Sequence, residues 1–512
     1  MDKSLRIELI RDRFASEPRG SRTQAALHLV LRRLILDGEL PAGSPLPPTR
    51  RLASDLGVSR STLVRVYEQL LVEGYLQSRG GSATLVSEAL PAAAPGHARR
   101  TQPPDRAGHV ASLSQRGSAI AQHATSSRIQ SGAFVPGAPD VGLFPFATWR
   151  RLLAKNIRFE QRHLARYSHG GYGPLKAVLA DYLRASRRMS CSPRQILILN
   201  GSHQAIDLCA RMLCDNGDHA WMEDPGYWGA SNVLRANGLQ IAPIPVDDEG
   251  LSLPAPGSPA PPRLIFVSPS SQYPTGVVMS LSRRMQLLEL AETNRAWVIE
   301  DDYDNEIRYH PYTIGSLFGQ ARSQRVIYLG TFSKTMFPGL RLAYLVVPEQ
   351  LAEAFATGNA ELYREGRMIE QAALAEFIDA GHLGAHLKRV RSIYQERRNV
   401  LRRAVESRLG DLVSTSGGLA GLHLPYFFSQ PLNDVALSNE MLKAGIVVRP
   451  LSMYYADPAY SRSGMVLGFA AIDAQTIETA AAQLCRVIEE RCRREQGVSQ
   501  PEVRRRCSVS GL

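Results

Sequence analysis

Apolar residues recur at two different spacings along this chain, and the change of spacing divides it into regions. Over residues 25–36 they follow a helical period that ends at an Asp-Gly pair. A short helix is predicted to begin with Thr49 as its N-cap, and a longer helix with Ser59 as its N-cap. Residues 75–76 and 84–86 can pair as strands around a glycine turn. The pattern predicts a small helical unit closed by a hairpin.

From Phe134 onward, helical segments alternate with short apolar runs. This alternation is typical of an α/β layered domain with a largely parallel sheet. Residues 89–130, between the two regions, are rich in Ala, Pro, Gly, Ser and Arg without any period, which predicts a flexible basic linker. The strands predicted from the apolar runs include residues 195–199, 264–267, 297–299 and 325–329.

Length and composition predict several domains. A chain of 512 residues, 44% of them hydrophobic, can bury more than one core. We predict boundaries that give domains 1–88 and 131–490, the linker 89–130, and a basic, disordered tail 491–512. No apolar run reaches the ~20 residues of a membrane span, and the N-terminus lacks a signal-peptide core. The six cysteines show no metal spacing, so we expect a reducing cytoplasm.

The formal net charge is +12, and the excess lies mainly at the two ends and in the linker. Residues 89–130 carry five Lys/Arg against one Asp/Glu. Basic segments around a near-neutral body favour a polyanion partner, although such a run can equally be solvated surface.

A helix-turn-helix pattern lies within residues 50–63, where a glycine joins two predicted helices. The second helix would place arginine and short polar side chains where a recognition helix meets base edges, and arginine can contact guanine through two hydrogen bonds. Other arginines lie where phosphate or minor-groove contacts are expected. The candidate DNA-binding residues are Arg50, Arg51, Ser59, Arg60, Thr62 and Arg79. The alternative is a helical hairpin with a basic surface.

These residues resemble the GntR-type winged helix over about 65 positions. The motifs that carry the resemblance are Asp37-Gly38, Leu46-Pro47-Pro48-Thr49-Arg50, Gly57-Val58-Ser59-Arg60, Glu73-Gly74-Tyr75-Leu76 and Arg79-Gly80-Gly81. The resemblance implies DNA contacts by Arg50, Arg60 and Thr62. Val64 departs from it, since some relatives carry another arginine there.

Lys334 lies in a short segment that combines an amine, hydroxyls and a cation, directly after a predicted strand. A lysine there can form an internal aldimine with an aldehyde cofactor, which makes Lys334 the candidate catalytic residue. Thr331, Ser333 and Arg341 are then candidates to hold the cofactor's phosphate. This combination is the pattern expected of a lysine that binds pyridoxal 5'-phosphate.

The acidic run 300–304 follows another apolar strand, and ligands of open α/β sheets bind at such strand ends. The cofactor's pyridine nitrogen needs a carboxylate. We predict Asp301 for the ring nitrogen and Tyr303 for the phenolic oxygen, with Glu300 and Asp302 as alternatives to Asp301. Without Lys334 the run could be no more than a solvated strand end.

A phosphate also binds backbone amides at a helix N-terminus. The turn at Gly201 makes the amides of Ser202 and His203 candidates, and Tyr227 could stack on the pyridine ring. Each of these motifs is weak alone, because many strand–helix turns look similar and Tyr227 could be a core residue.

Together these motifs resemble a fold-type I aminotransferase over about residues 131–490. With the winged helix in front, the chain resembles a MocR/GabR-type transcriptional regulator. The motifs are Leu143-Phe144-Pro145, Gly171-Tyr172-Gly173-Pro174-Leu175, Gly201-Ser202-His203-Gln204-Ala205, Glu223-Asp224-Pro225-Gly226-Tyr227, Gln272-Tyr273-Pro274-Thr275-Gly276, Glu300-Asp301-Asp302-Tyr303-Asp304 and Thr331-Phe332-Ser333-Lys334. The resemblance implies a large, mostly parallel sheet with a smaller C-terminal α+β subdomain. It implies pyridoxal phosphate on the residues above, and a homodimer in which Tyr167 reaches the partner's cofactor.

Two positions depart from that resemblance at the place where a substrate carboxylate is bound. Aminotransferases hold this group with an arginine, and the matching position is Val466. Some relatives that bind amino acids carry a second arginine where this chain has Gly229. Arg449 or Arg462 could substitute. Ser271 and Ala343 are further departures, since relatives often have histidine and glycine there.

Three functions are compatible with these observations. The first is a bacterial cytoplasmic, DNA-bound regulator in which an amine, an amino acid or the cofactor itself acts at Lys334 and alters operator binding. The second is a competent aminotransferase that also binds DNA. The third is a regulator whose aminotransferase domain is only a dimerisation scaffold. The departures favour the first, since turnover needs a positioned carboxylate.

Overall fold

The computed structural model describes residues 3–16, 24–79, 83–88, 113–122, 131–158, 168–255, 257, 259–310, 315–321 and 324–498. The chain divides into two compact units, Met1–Ser112 and Leu113–Leu512. No helix in the described ranges is long and apolar enough to cross a membrane.

Four helices and a hairpin make up the first unit. They are α1 Lys3–Ala15, α2 Gln24–Leu36, α3 Thr49–Leu56, α4 Arg60–Val72, β1 Leu76–Arg79 and β2 Ala83–Val86, with β1 and β2 antiparallel. Ser59 is the N-cap of α4, as predicted: its hydroxyl accepts from the Thr62 amide at 3.1 Å. The prediction that Thr49 caps α3 is wrong. Pro48, in an extended conformation, precedes the helix, and Thr49 is its first residue.

Helix α1 was not predicted, although its apolar residues have helical spacing. Ile7, Ile10 and Phe14 lie on one face and are buried in the core of the first unit. Leu31 of α2 and Leu63 of α4 belong to the same core. The helix therefore completes the hydrophobic centre of this unit.

An eight-stranded sheet forms the centre of the second unit. Its strands are β3 Ile196–Leu199, β4 His219–Asp224, β5 Gln240–Asp247, β6 Gly250–Leu251, β7 Leu264–Val267, β8 Trp297–Asp301, β9 Val326–Thr331 and β10 Ala343–Val346. The order is β3-β10-β9-β8-β7-β4-β5-β6, parallel from β9 to β5, with β10 antiparallel to both neighbours and β6 antiparallel to β5. The largely parallel sheet expected from the sequence is confirmed. The carboxyl ends of β3, β4, β7, β8 and β9 meet at one edge.

Helices pack around this sheet. They are α5 Gln115–Gln122, α6 Phe146–Arg158, α7 Gly173–Arg187, α8 Ser202–Leu213, α9 Trp228–Ala236, α10 Leu281–Thr293, α11 Leu317–Gln320, α12 Ala352–Tyr363 and α13 Met368–Asp379. Helix α5 lies within the stretch predicted to be an unstructured linker, and it packs on α9. The rest of that stretch, residues 89–112 and 123–130, lies outside the described residues.

The C-terminal part is a smaller α+β subdomain, as expected. Its elements are α14 His382–Leu409, β11 Val413–Ser414, β12 His423–Phe428, α15 Asp434–Lys443, β13 Arg449–Pro450, β14 Gly464–Gly468 and α16 Ala474–Val498. The four strands are antiparallel in the order β11-β12-β14-β13. Helix α16 continues for eight residues into the predicted tail 491–512, because Ile488 and Cys492 remain buried on its packed face. Residues 499–512 lie outside the described residues.

Candidate functional site

The predicted cofactor residues come from several segments, and most of them gather at the carboxyl edge of the large sheet. Lys334 follows β9, Asp301 ends β8, Tyr227 follows β4, and Ser202 begins α8 after β3. Because parallel strands deliver their carboxyl ends to one edge, segments far apart in sequence meet there. Tyr167 lies outside the described residues.

Lys334 is half-buried and donates a hydrogen bond from Nζ to the Gly137 carbonyl at 2.9 Å. Gly137 has a φ of +68°, and a Cβ at this position would lie 2.9 Å from Nζ, so a glycine leaves room for the lysine. Burial lowers the pKa of Lys334, while the nearby carboxyls of Asp304 and Asp301 oppose that change. The surroundings therefore favour the neutral, nucleophilic amine more than water does.

Three neighbouring carboxyls at the end of β8 have different partners. The Glu300 carboxylate accepts hydrogen bonds from the backbone amides of Leu317 and Phe318, at 2.8 and 2.9 Å. Asp302 pairs with Arg187. Asp301 keeps a buried oxygen, Oδ1, without a hydrogen-bond partner among the described residues.

Burial raises the pKa of Asp301 to about 7, and the charge of Asp302 adds to this effect while Lys334 opposes it. A buried acceptor without a donor costs free energy unless a ligand supplies one. Asp302 Oδ1 also has no hydrogen-bond partner in the described residues, but the other oxygen of that carboxyl is already paired with Arg187. Of the three candidate acids, Asp301 is thus the one that has neither a cation nor backbone amides as partners.

The Asp302 pair is almost fully removed from water. Arg187 Nη2 lies 2.7 Å from Asp302 Oδ2, and the two side chains are 2% and 0% exposed. Tyr328 donates its hydroxyl to the same carboxylate oxygen at 2.5 Å. Arg187 also donates to the Ser270 hydroxyl at 3.0 Å. This network joins α7 to the strand end that carries Asp301.

Gly201 and Arg341 form a positively charged turn at the start of α8. Gly201 has φ +98° and ψ 167°, and a Cβ there would lie 3.1 Å from Cζ of Arg341. Arg341 is exposed, and its Nη2 donates to the Asn200 carbonyl at 3.4 Å. The first amides of α8, which include those of Ser202 and His203, have no intrahelical acceptor, and the helix dipole favours an anion there.

Thr331 ends β9, and Ser333 directly precedes Lys334. The Ser333 amide donates to the Thr331 hydroxyl at 3.2 Å. Thr331 is buried and Ser333 is half-buried. Their local hydrogen bond fixes the backbone that leads into Lys334.

Tyr227 is held by a second predicted site residue. Its hydroxyl lies 2.9 Å from His203 Nε2, and burial lowers the pKa of His203, with the Arg341 charge adding to the change. The Tyr227 ring also meets Tyr273 edge to face, with centroids 6.0 Å apart. Tyr227 precedes the first residue of α9.

Tyr273 is the centre of an aromatic cluster that the sequence analysis did not assign. Its ring contacts those of Tyr303, His423 and Tyr454 at centroid distances of 6.0, 5.2 and 5.4 Å. The Tyr273 and Tyr454 hydroxyls are 2.9 Å apart. The motif 272–276 was noted only as part of the resemblance, and its tyrosine was the available signal.

Tyr303 and Asp304 also have buried polar atoms at this site. The Tyr303 hydroxyl lies near Ser271 but has no hydrogen-bond partner of good geometry in the described residues. Asp304 Oδ2 also has no hydrogen-bond partner there. Burial raises the pKa of both groups well above their usual values. His423 is also buried, which lowers its pKa to about 4 and keeps its ring neutral. Asp304 and His423 were missed because their approach to Lys334 depends on tertiary packing.

In the first unit, four of the predicted DNA-binding residues are exposed. Arg50 and Arg51 lie on the first turn of α3, and Ser59 and Arg60 lie at the start of α4. Gly57 has a φ of +66° at the end of α3 and turns the chain between the helices. The half-buried Thr62 hydroxyl lies 2.8 Å from Ser59 Oγ. Arg79 ends β1, and its side chain lies outside the described part of the structure.

Comparisons with known proteins match both units. Residues 23–86 match the family of bacterial regulatory proteins, gntR family, and residues 140–484 match aminotransferase class I and II. The chain is 42% identical over 481 residues to the probable rhizopine catabolism regulatory protein MocR of Rhizobium meliloti, covering 92% of this chain and 93% of the relative. It is 31% identical to the pyridoxine biosynthesis transcriptional regulator PdxR of Corynebacterium glutamicum, covering 89% and 93%.

Among solved structures, the second unit resembles LysN, an α-aminoadipate aminotransferase from Thermus thermophilus in complex with N-(5'-phosphopyridoxyl)-L-leucine. The TM-score is 0.66 at 27% identity, over 73% of this chain and 97% of that structure. The fold is therefore that of the class I and II aminotransferases, which confirms the predicted architecture. The chain belongs to the MocR-type transcriptional regulators, in which a GntR-type helix-turn-helix domain precedes an aminotransferase-like domain.

Proposed function

We propose that this regulator binds pyridoxal 5'-phosphate at Lys334, and that an amine, an amino acid or the cofactor itself acting there changes its binding to operator DNA. The observation that carries the proposal is the half-buried Lys334 amine, which shares one sheet edge with the partnerless oxygen of Asp301. Neither feature contributes to folding in an obvious way. Both suit a ligand that has an aldehyde and a cationic nitrogen.

Each polar group of this cofactor has candidate partners among the chain's residues. Asp301 Oδ1 would accept from the pyridine nitrogen, and the Tyr303 hydroxyl would pair with the phenolic oxygen. The start of α8, with Arg341 beside Gly201, would hold the phosphate. When bound, pyridoxal phosphate supplies an aldehyde that reacts with primary amines and a ring that withdraws electrons.

The protein's part in the chemistry is to position groups and control protons. Burial lowers the pKa of Lys334, so that its neutral amine can attach the cofactor. Tyr227, oriented by His203, would form a wall for the pyridine ring. The buried pair of Arg187 and Asp302 holds the end of β8, from which Asp301 would accept from the ring nitrogen.

The winged-helix unit supplies DNA binding. Arg60 at the exposed start of α4 would reach base edges, and Arg50 and Arg51 would contact phosphates. Thr62 would contribute less directly, since its hydroxyl is engaged with Ser59. We propose that the protein acts on operator DNA in the bacterial cytoplasm.

Helix α5 is the first described element of the second unit along the chain. It packs on α9, whose first turn directly follows Tyr227. Trp228 in that turn stacks on Tyr454 at a centroid distance of 4.2 Å. A ligand that displaces Tyr227 would therefore move α9 and the segment through which the chain continues to the winged helix.

A homodimer fits the exposed apolar surface of α6. Phe146 and Ile157 are 45% and 49% exposed on this helix, and Leu153 lies between them in sequence. Large apolar side chains exposed on one helix are typical of an interface. We propose that a second copy of the chain covers α6 and, as the family resemblance implies, that Tyr167 of each copy reaches the other's site.

Catalytic transamination is the second candidate function. The lowered pKa of Lys334 favours it, because a neutral lysine can remove an α-proton. Incubating the holoprotein with pairs of amino acids and keto acids separates the two: many turnovers per protein would show an enzyme, and no turnover would leave the regulator alone.

The proposal is tested by locating the cofactor. Full-length protein purified with pyridoxal phosphate should show visible absorbance, and borohydride reduction followed by peptide mass spectrometry should place the added mass on Lys334. Lys334→Ala should abolish both signals, whereas Lys388→Ala, at an exposed position of α14, should change neither. Absence of the absorbance from the wild-type protein would leave the domain as a scaffold.

A further inference from the structure

With Tyr227 and His203 in their present positions, there is no room for a side chain at position 229. A Cβ on Gly229 would lie 2.4 Å from Cζ and from the hydroxyl of Tyr227, and 2.6 Å from His203 Nε2. Such contacts are far closer than van der Waals distance, so Tyr227 and His203 already fill this space. The geometry rules out a guanidinium at this point without rearrangement of Tyr227.

Position 466 is equally unsuited to an anion. Val466 is fully buried in an apolar cluster with Phe427, Leu451 and Tyr454. A ligand carboxylate placed against Val466, Phe427 and Leu451 would lose its hydration without gaining a donor. A positively charged partner for the ligand carboxylate must therefore come from a neighbouring strand.

Arg449 lies directly across from Val466. The two residues pair in the antiparallel ladder between β13 and β14, so their side chains leave the same face of the sheet, with Cβ atoms about 5 Å apart. The next pair, Pro450 and Met465, faces the other side, where Met465 joins the main core. Arg449 therefore projects on the face where Val466 contacts Tyr454.

That face leads to the candidate cofactor site. Tyr273 and Tyr454 pair through their hydroxyls beside it, and Tyr273 in turn contacts Tyr227 and Tyr303. Burial raises the pKa of Tyr454 to about 12, and the positive charge of Arg449 opposes the rise. Arg449 is thus electrostatically close to the hydroxyl pair, and the residue is half-buried.

Arg462 is engaged elsewhere. It is exposed, and its guanidinium lies over the Phe427 ring at 4.2 Å from the centroid. It covers the outside of the apolar cluster of which Val466 is a member. The structure therefore distinguishes two arginines that the sequence leaves equivalent.

We propose that Arg449, with the Tyr273–Tyr454 hydroxyl pair, binds the carboxylate of an amino-carboxylate ligand whose amine reaches Lys334. The guanidinium contributes two parallel donors to the carboxylate, and a tyrosine hydroxyl adds a third. The effector class is then amino acids rather than simple amines. This inference rests on the proposed cofactor site.

The test uses two stable adducts that differ only by a carboxylate, N-(5'-phosphopyridoxyl)-L-alanine and N-(5'-phosphopyridoxyl)-ethylamine. Their affinities for the full-length, cofactor-free protein are measured by calorimetry. The wild-type protein should bind the alanine adduct about 10- to 100-fold more tightly, as expected for hydrogen bonds to a charged group. Arg449→Met should remove most of that difference by weakening only the alanine adduct, and Arg449→Lys should restore part of it. Arg462→Met should leave both affinities unchanged.

Equal affinities in the wild type, or an Arg449→Met variant that loses affinity for both adducts equally, would overturn the assignment. The second result would mean that Arg449 only supports the fold. Failure of the wild-type protein to bind either adduct would instead refute the proposed cofactor site, and this inference with it.

Discussion

Asp301 illustrates how burial prepares a residue for a ligand. Its carboxyl is 6% exposed, has an oxygen without a partner in the described residues, and titrates near pH 7 because desolvation disfavours the charged form. In the unfolded chain the same group loses its proton near pH 4. The folded protein without cofactor therefore holds a proton that the unfolded chain releases.

The sign of the resulting pH dependence follows from linkage. Because the folded pKa is raised, the Asp301 contribution to stability is fully present below about pH 4 and is lost as the pH rises to about 7. Between pH 5 and 7 this group should lower the free energy of unfolding of the cofactor-free protein by about 2 kcal/mol. In Asp301→Asn the decline measured by urea unfolding should be smaller by this amount, while the raised pKa values of Glu223, Glu300 and Glu306 maintain the rest of it.

The matched control is Asp181→Asn, whose carboxyl is 74% exposed on α7. It should leave the wild-type profile unchanged. If the free energies of unfolding of Asp301→Asn and the wild type decline in parallel between pH 5 and 7, the Asp301 carboxyl is already ionised in the folded protein. The proposal that burial keeps it protonated until a ligand binds would then be wrong.

The proposed contact between α4 and DNA bases can be tested at Arg60. It is exposed at the first position of α4, where Ser59 caps the helix. Arg60→Ala should weaken binding to a duplex from the upstream region of the protein's own gene by about 10-fold or more, the loss expected for one base contact. Fluorescence anisotropy measures the change, with Arg33→Ala on the exposed surface of α2 as control.

An Arg60→Ala variant that binds and footprints like the wild type would show that α4 is not the recognition helix. A uniform loss on all duplexes, with a smaller salt dependence, would place Arg60 on phosphate instead.

At the scale of elements, one buried ion pair holds α7 against the end of β8. Replacing Arg187 by methionine would leave Asp302 buried with the Tyr328 hydroxyl but without its cation. Removal of one partner from such a pair costs about 3–5 kcal/mol, because the remaining charge is not solvated. Urea unfolding of Arg187→Met should show a loss of this size.

The same helix offers a matched control. Arg184 pairs with Asp181 at 2.7 Å on the surface, and Arg184→Met should cost less than about 1 kcal/mol because water screens that pair. Equal losses in the two variants would mean that the Arg187 pair has no special role in positioning the strand end.

Local sequence patterns were sufficient to predict strands β3, β7, β8 and β9 and the N-cap of α4, since apolar periods and capping depend on neighbours in the chain. They favoured Asp301 over Glu300 and Asp302, but they could not show the partners that occupy the other two acids, because α7 and α11 come from elsewhere in the chain. They also could not show that the space at Gly229 is filled by Tyr227. Helix α1 was missed although Ile7, Ile10 and Phe14 have helical spacing, so its signal was present in the sequence. The role of Tyr273 could not be predicted, because it depends on several rings meeting in space.

On the scale of the whole molecule, a DNA-binding unit and an aminotransferase-like unit share one chain. The proposed function requires that occupancy of the Lys334 site and binding to operator DNA influence each other. Such coupling is reciprocal: if a ligand changes DNA affinity by some factor, DNA changes ligand affinity by the same factor. A scaffold domain or an independent enzyme would show no such link.

The most direct test measures ligand affinity with and without DNA. Holoprotein is titrated with an amine or amino acid that shifts its visible absorbance, first alone and then with a saturating duplex from the upstream region of its own gene. A scrambled duplex serves as control. The coupling predicts that the specific duplex changes the ligand's Kd by about 5-fold or more, whereas the scrambled duplex does not. Equal Kd values under all three conditions would contradict the proposal that Lys334 serves to sense a ligand for the DNA-binding unit.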